Sequence, residues 1–138
     1  HKGYINDTER ELMKLVEVND THLSQLMSWF ENEAQLTTWS GPNFRYPFTE
    51  STFKEDLKST TLPSYLLLSP QGEFLAFGQY YLRESRCHLA RLVVNPSKRG
   101  QGIVAALIAK LAAKGKDHLK VKTCSLFVSE DNTHAIHA

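Results

Sequence analysis

NPSKRGQGIVAALIAKLAAKG, residues 95–115, is the stretch that decides the fold. Gly100 and Gly102 stand two apart beside Arg99, and an alanine- and leucine-rich run follows at once. Ile103, Leu107 and Leu111 recur every fourth position with Val104 and Ile108 beside them, which predicts a helix over 102–114 that buries one face. Lys110, Lys114 and Lys116 gather toward its C-terminal end, and Gly115 is placed to stop it, in keeping with the macrodipole and with glycine's preference for a left-handed cap. The N-terminal end is electropositive and unblocked. Two glycines let the backbone curl with its N–H groups inward, Arg99 adds a full charge, and the combination suits a phosphate or pyrophosphate. A tight strand-to-helix turn that binds nothing is the competing explanation of the same glycines.

Outward from this loop the chain alternates strands and helices. CHLARLVV (87–94) precedes it as a strand, and KTCSLFVS (122–129) follows the helix as another. Upstream, SYLLLS and FLAFGQYYLRE flank PQGE, where Pro70 and Gly72 supply turn chemistry for a hairpin. ELMKLVEV (11–18) predicts a strand that ends at a helix cap on Asp20 or Thr21, and Leu23, Leu26, Met27 and Phe30 then keep helical spacing. Thr49 predicts the cap of a short helix running to Leu57. Between them, LTTWSGPNFRYPF (36–48) holds one glycine, two prolines and four aromatic residues, which predicts an irregular loop able to bury rings.

With 138 residues and 41% hydrophobic content, the chain suits one globular domain. Sixteen Lys and Arg against fifteen Asp and Glu provide no global field for nucleic acid or an anionic membrane, so any anion site must be local. The longest apolar runs, YLLL (65–68) and IVAALIA (103–109), fall far short of the ~20 residues of a membrane span. No signal peptide opens the sequence, which begins on His1 as a tag remnant or trimmed end would. Cys87 and Cys124 fit no CxxC spacing and read as reduced side chains in strands, which together with the rest points to a soluble cytoplasmic protein.

Two phosphate-binding motifs fail on this loop. GQGIVA matches the dinucleotide pattern G-x-G-x-x-A, but there the first glycine follows its strand at once, whereas here five residues including Pro96 intervene. A P-loop would need GK[ST] after its glycines, and none follows. What the sequence does resemble, over nearly its whole length, is the GNAT N-acyltransferase superfamily. The resemblance rests on LVVNPSKRGQGI (92–103), on the order of flanking elements and on LFVSEDNTHA (126–135). In the family's loop pattern, Arg or Gln is followed by two residues, Gly, one residue, then Gly or Ala. Arg99 and Gly102 match, while Val104 takes the last small position and Ala105 follows it.

The resemblance implies a mixed α/β fold with a mostly antiparallel central sheet flanked by helices, and acetyl transfer from acetyl-CoA to an amine without a metal. It implies that Leu92, Val93 and Val94 offer backbone groups to the pantetheine arm. It also implies that Gly100, Gln101, Gly102, Ile103, Val104 and Ala105 wrap the pyrophosphate, and that Asn132 contacts the cofactor near its reactive end. The thioester would enter a gap between strand 88–94 and strand 122–129. His88 lies close to where some relatives carry a catalytic carboxylate, and its ordinary pKa of about 6.5 suits proton removal from the attacking amine. A partly exposed strand histidine is the plainer account of the same residue. Glu84 and Glu130 are outside candidates for the base. His134 and His137 form an HxxH pair of the kind that usually lies at the surface. Phe127 stands where certain ribosomal-protein acetyltransferases carry a glutamate, so that mechanism is not expected.

Acceptor identity would be written in segment 31–48, where Trp39, Phe44, Tyr46 and Phe48 are candidates for a pocket lining and Glu33 or Glu50 for attracting an amine. Small-molecule and peptide amines both remain open. The family pattern continues from N-x-x-A through Leu-Tyr into a helix and a last strand, while this sequence reaches Ala138 where the leucine is expected. The expectation is a GNAT domain over 1–138 that is incomplete at its C-terminus, or else one in which another chain covers the exposed edge of strand 122–129 by exchange or pairing, as in a homodimer. A CoA-binding module without turnover is the alternative function.

Overall fold

A computed structural model describes residues 6–126. Its elements are α1 (Asp7–Leu12), β1 (Lys14–Glu17), α2 (Asp20–Met27), α3 (Glu33–Ser40), α4 (Glu50–Leu57), β2 (Ser64–Leu68), β3 (Phe74–Arg83), β4 (Arg86–Val94), a short 3₁₀ turn (Pro96–Lys98), α5 (Ile103–Leu119) and β5 (Cys124–Leu126). The strands form one sheet in the order β1-β2-β3-β4-β5, antiparallel except for the parallel β4–β5 pair. This is the mixed α/β, mostly antiparallel architecture expected from the sequence.

Successive strand residues point to opposite faces, and the core follows that alternation. Leu66 and Phe77 pack with Leu23, Leu26, Phe53 and Leu57 from α2 and α4, whereas their neighbours Leu67 and Ala76 pack with Ile103 and Leu107 of α5. Helices therefore cover both faces, and β3 is buried without a break from Phe74 to Tyr80 because neither of its faces meets water. Gly78 marks the closest approach: a Cβ there would lie 2.7 Å from the Leu111 and Leu92 methyl groups.

Several expectations shift in the structure. Asn6 caps α1 through its side chain, drawing Glu11 and Leu12 into a helix and leaving β1 only four residues. Asn19, rather than Asp20 or Thr21, caps α2 by accepting from the His22 amide at 3.0 Å. Part of the presumed irregular segment is α3, capped by Asn32 and stopped by Gly41 at φ 86°. It carries only Leu36 and Trp39 as large apolar residues, too few for a visible period. Thr49 does cap α4, with Thr52 completing a reciprocal capping box. The hairpin turn falls at Ser69–Glu73, with Gly72 at φ 87°.

Gly115 does not stop α5, which continues to Leu119 and ends on Lys120 in the left-handed region. The glycine faces the sheet instead: a Cβ there would collide with Cys87 Sγ and stand 3.1 Å from the Tyr80 ring. Val104, grouped above with the buried face, is 43% exposed, because it lies on the side of α5 that looks away from the sheet.

Candidate active site

A cleft of about 1500 Å³ opens along β4 between α3 and the start of α5. Its origin is a break in two ladders. Beyond Leu89, β4 has no β5 partner among the described residues, since the parallel pairing runs only Cys87↔Cys124, His88↔Ser125 and Leu89↔Leu126. On the other side, the register with β3 shifts between Phe77 and Gln79, and Arg91 opposite takes φ 51°. Such a bulge bends and re-aims a strand. Trp39 Nε1 donates to the Arg91 carbonyl at 2.7 Å, tying α3 to the bulge. The outer edge of Ala90–Val94 is thereby turned into the cleft wall.

The loop from β4 to α5 is shaped by its own side chains. Asn95 accepts from the Ser97 amide at 3.0 Å and donates to the Phe74 carbonyl at 3.0 Å, while Lys98 pairs with Glu73 at 3.0 Å. Gly100 and Gly102 then adopt φ 82° and 78°, the left-handed region that favours glycine. Nothing would touch a Cβ at Gly100, so conformation rather than space calls for glycine there. Asn6, Asn19, Asn32 and Thr49 cap the other four helices, but no side chain caps α5. Its first amides are left for another acceptor.

The proposed cofactor residues divide in a definite way. Leu92, Val93, Val94, Arg99, Gly100, Gly102, Ile103 and Val104 line the cleft. Gln101 and Ala105 lie in the same loop and first turn but off its wall. Ile103 is 2% exposed and its side chain belongs to the core, so only its backbone is available to a ligand. Asn132, Glu130, Phe127, His134 and His137 lie outside the described residues. Among the described residues, no group of three His, Cys, Asp or Glu could hold a metal ion, and no helix is long and apolar enough to cross a membrane.

His88 lines the cleft at the β4–β5 junction and is buried, not partly exposed. Its Nδ1 lies 3.0 Å from Ser125 Oγ, and its ring stands 5.2 Å from that of Tyr81. Burial, reinforced by the Arg83 charge and opposed by Glu84, lowers its pKa and keeps the imidazole neutral near pH 7. Glu84 itself sits in the exposed two-residue β3–β4 turn at φ 52° and is not on the cleft wall.

Of the four aromatic candidates for the acceptor side, only Trp39 reaches the cleft. Phe44 and Phe48 pack on Phe53 at 5.6 and 5.1 Å, and Tyr46 rests on Phe48, so these rings anchor segment 41–48 to the core. Arg45 fastens the same segment through Asp56 at 2.9 Å, and that guanidinium holds the Asp56 carboxyl below the usual carboxylate range. Glu33 and Glu50 occupy the exposed first turns of α3 and α4, away from the cleft wall. Glu31, Tyr81 and Arg91 do line it, and sequence reading passed over all three. Arg91 alone left a signal, a cation inside the otherwise apolar run LARLVV.

Comparison with known proteins agrees with this geometry. Among solved structures, spermidine N-acetyltransferase from Vibrio cholerae in complex with CoA and spermine superposes with a TM-score of 0.67 at 12% identity, over 88% of this chain and 74% of that one. A dodecameric structure of spermidine N-acetyltransferase from the same organism gives 0.63 at 12% identity, over 88% and 72%. A probable acetyltransferase gives 0.64 at 14% identity, over 87% and 72%. At these identities the likeness concerns the fold. The model of the acetyltransferase (GNAT) family matches residues 26–138. The chain therefore belongs to the acetyltransferase (GNAT) family and is an acetyl-CoA-dependent N-acetyltransferase.

Proposed function

We propose that this chain moves the acetyl group of acetyl-CoA to a primary amine by direct attack, with cofactor and acceptor meeting in the cleft beside β4. The observation that carries the proposal is the α5 N-terminus, uncapped and preceded by two left-handed glycines, at the cleft wall. A helix start with free amides and the positive end of its dipole favours a pyrophosphate. Residues Arg99–Ala105, Gln101 included, would hold that group mainly by backbone, with Arg99 adding charge. The edge of Leu92–Val94 would take the pantetheine arm, and Asn132 the reactive end. The solved neighbour that carries CoA and spermine supports pairing a CoA ester with an amine in this fold.

An amine reaches the site as an ammonium ion and must lose a proton before its lone pair can attack. His88 is our candidate for that acceptor, because it lies on the cleft wall and burial keeps it uncharged. Attack forms the C–N bond and sends the carbonyl electron pair onto oxygen, where backbone N–H groups stabilise it. Collapse re-forms the carbonyl, breaks C–S and releases the thiolate; the nitrogen sheds its extra proton to leave a neutral amide, and that proton balances the one the thiolate takes up.

Gly102→Glu tests the cofactor half. A side chain there would fill the approach to the helix start and add a repelling charge, at the expense of about 1–2 kcal/mol of left-handed strain. Calorimetry should show acetyl-CoA binding to the parent and none to the folded variant; equal affinities would remove the loop assignment. Acceptor-dependent thiol release over a panel of polyamines, amino acids and peptides tests the transfer half. Binding without release on any acceptor would mark a CoA-binding module instead.

A further inference from the structure

Arg91 is a cleft-wall cation that neither cofactor binding nor proton transfer uses. Its guanidinium lies 5.3 Å over the Phe44 ring, and Nη1 donates to Gln79 Oε1 at 2.9 Å. Gln79 is fully buried, and its amide nitrogen already donates to the Leu57 carbonyl at 2.8 Å and Ser64 Oγ at 2.9 Å. Its oxygen is therefore held toward Arg91. The Trp39 hydrogen bond to the Arg91 carbonyl fixes the backbone as well. The guanidinium is thus positioned by β3, α3 and segment 41–48, all rigidly packed, on the side of the sheet away from α5.

What this group lacks among the described residues is an anion. Among the described residues no carboxylate pairs with Arg91, and its Nε is buried with no hydrogen-bond partner. Removing a cation from water without a counter-ion is expensive. Burial accordingly pulls the Arg91 pKa below the usual arginine value, opposed only by the nearby Tyr81 hydroxyl. Glu31 is the single acid on the described cleft wall, against Lys58, Arg91, Lys98 and Arg99. Lys98 is satisfied by Glu73, and Arg99 stands beside the α5 start.

We propose that Arg91 determines acceptor specificity by receiving a carboxylate on the substrate, so that the acceptor is an amino acid or similar carboxylated amine rather than a polyamine. The inference rests on the cleft being the acetyl-transfer site. A guanidinium presents parallel donors that match a carboxylate, whereas a polyamine would bring a second cation against a half-buried, unpaired one.

The test uses acceptor pairs that differ only in the carboxylate: lysine against cadaverine, ornithine against putrescine, phenylalanine against phenethylamine. In the parent protein the carboxylated member should show the higher kcat/KM, by roughly ten- to hundredfold, the range for a hydrogen bond to a charged group. In Arg91→Met that ratio should collapse toward one through a rise in KM, with Arg91→Lys retaining part of it and acetyl-CoA affinity unchanged. Because each ratio is taken within one protein sample, loss of folded protein cancels. Preference for the decarboxylated member, or an unchanged ratio in Arg91→Met, would overturn the assignment. Should no acceptor turn over, acetyl transfer fails separately. Calorimetry of the CoA-loaded protein with N-acetyl-lysine and N-acetylcadaverine then still decides Arg91. Selective binding of the first that disappears in Arg91→Met supports it, and equal or absent binding refutes it.

Discussion

Replacing Gly115 with alanine should destabilise the protein, although the same change in an exposed helix stabilises it. Within a helix, alanine is favoured over glycine by about 1 kcal/mol. Here the added methyl would collide with Cys87 Sγ and stand 3.1 and 3.2 Å from Tyr80 Cγ and Cδ1. Neither neighbour has room to retreat. Cys87 is fully buried, and the Tyr80 ring is held by stacking on Tyr65 and by its hydroxyl, 2.7 Å from His118 Nδ1. Overpacking a tight core costs about 1–3 kcal/mol, and the two rigid contacts place this site at the upper end. The net expectation is a loss of about 1–2 kcal/mol, or roughly 3–8 °C in Tm for a chain of this size. Cys87→Ala removes the obstructing sulfur, so Gly115→Ala should be neutral or stabilising in that background, with a coupling energy of at least about 1 kcal/mol. Thermal melts of the two single variants and the double variant give the cycle. A Tm for Gly115→Ala equal to or above the parent's would mean that helix propensity outweighs contact and that α5 does not sit this close to β4.

Other outcomes follow from the same geometry. His88→Ala should lower kcat by about 10²–10⁴-fold with little change in acetyl-CoA affinity; a loss below about threefold would return His88 to a packing role. Since burial lowers the His88 pKa, the proposed base stays neutral at pH 7 and protonates only below its ordinary value of 6.5; with His88 in that role, the acid limb of kcat/KM should lie on the acid side of that value and vanish in His88→Ala. The His22 pKa is also lowered by burial, so the unfolded chain takes up more protons as pH falls below 6.5; stability should decline from pH 7 toward pH 5, and His22→Gln should blunt the slope of Tm against pH. Cys87, its pKa pushed up to about 12 by burial and by neighbouring Cys124, should resist aromatic disulfide reagents in the native state, and both thiols should appear on addition of denaturant. Rapid native labelling of either would contradict their burial.

Local sequence determined the features whose cause is local. Apolar spacing and paired glycines located the β4–α5 loop and the start of α5, Thr49 marked α4, and Pro70 with Gly72 marked the β2–β3 turn. Each depends on contacts within a few residues, which the chain spells out in order. Where two local signals competed, the fold chose between them. Gly115's freedom to end a helix competed with the helix-forming residues around it, and the need for α5 to lie flat on Cys87 and Tyr80 kept the glycine inside it. Segment 36–48 looked irregular because α3 buries Leu36 and only part of Trp39, and those side chains find their partners in other elements, among them Phe53 of α4 and the Arg91 carbonyl of β4, rather than along their own helix.

The acceptor half of the cleft belongs to tertiary structure almost entirely. Gln79, Tyr81, His88 and Arg91 lie on two strands whose pairing includes a register shift, and period-two alternation alone places Arg91 on the wrong face. Only the bulge at Arg91, with the Trp39 indole on its carbonyl, turns that guanidinium toward Phe44 and Gln79. The same holds for Cys87 and Cys124, far apart in sequence yet register partners across β4 and β5. Backbone amides at a helix start can be anticipated from glycine and charge, because the helix itself creates them. That no carboxylate among the described residues faces Arg91 is visible only after folding, since it is the burial around the guanidinium that makes a counter-charge matter.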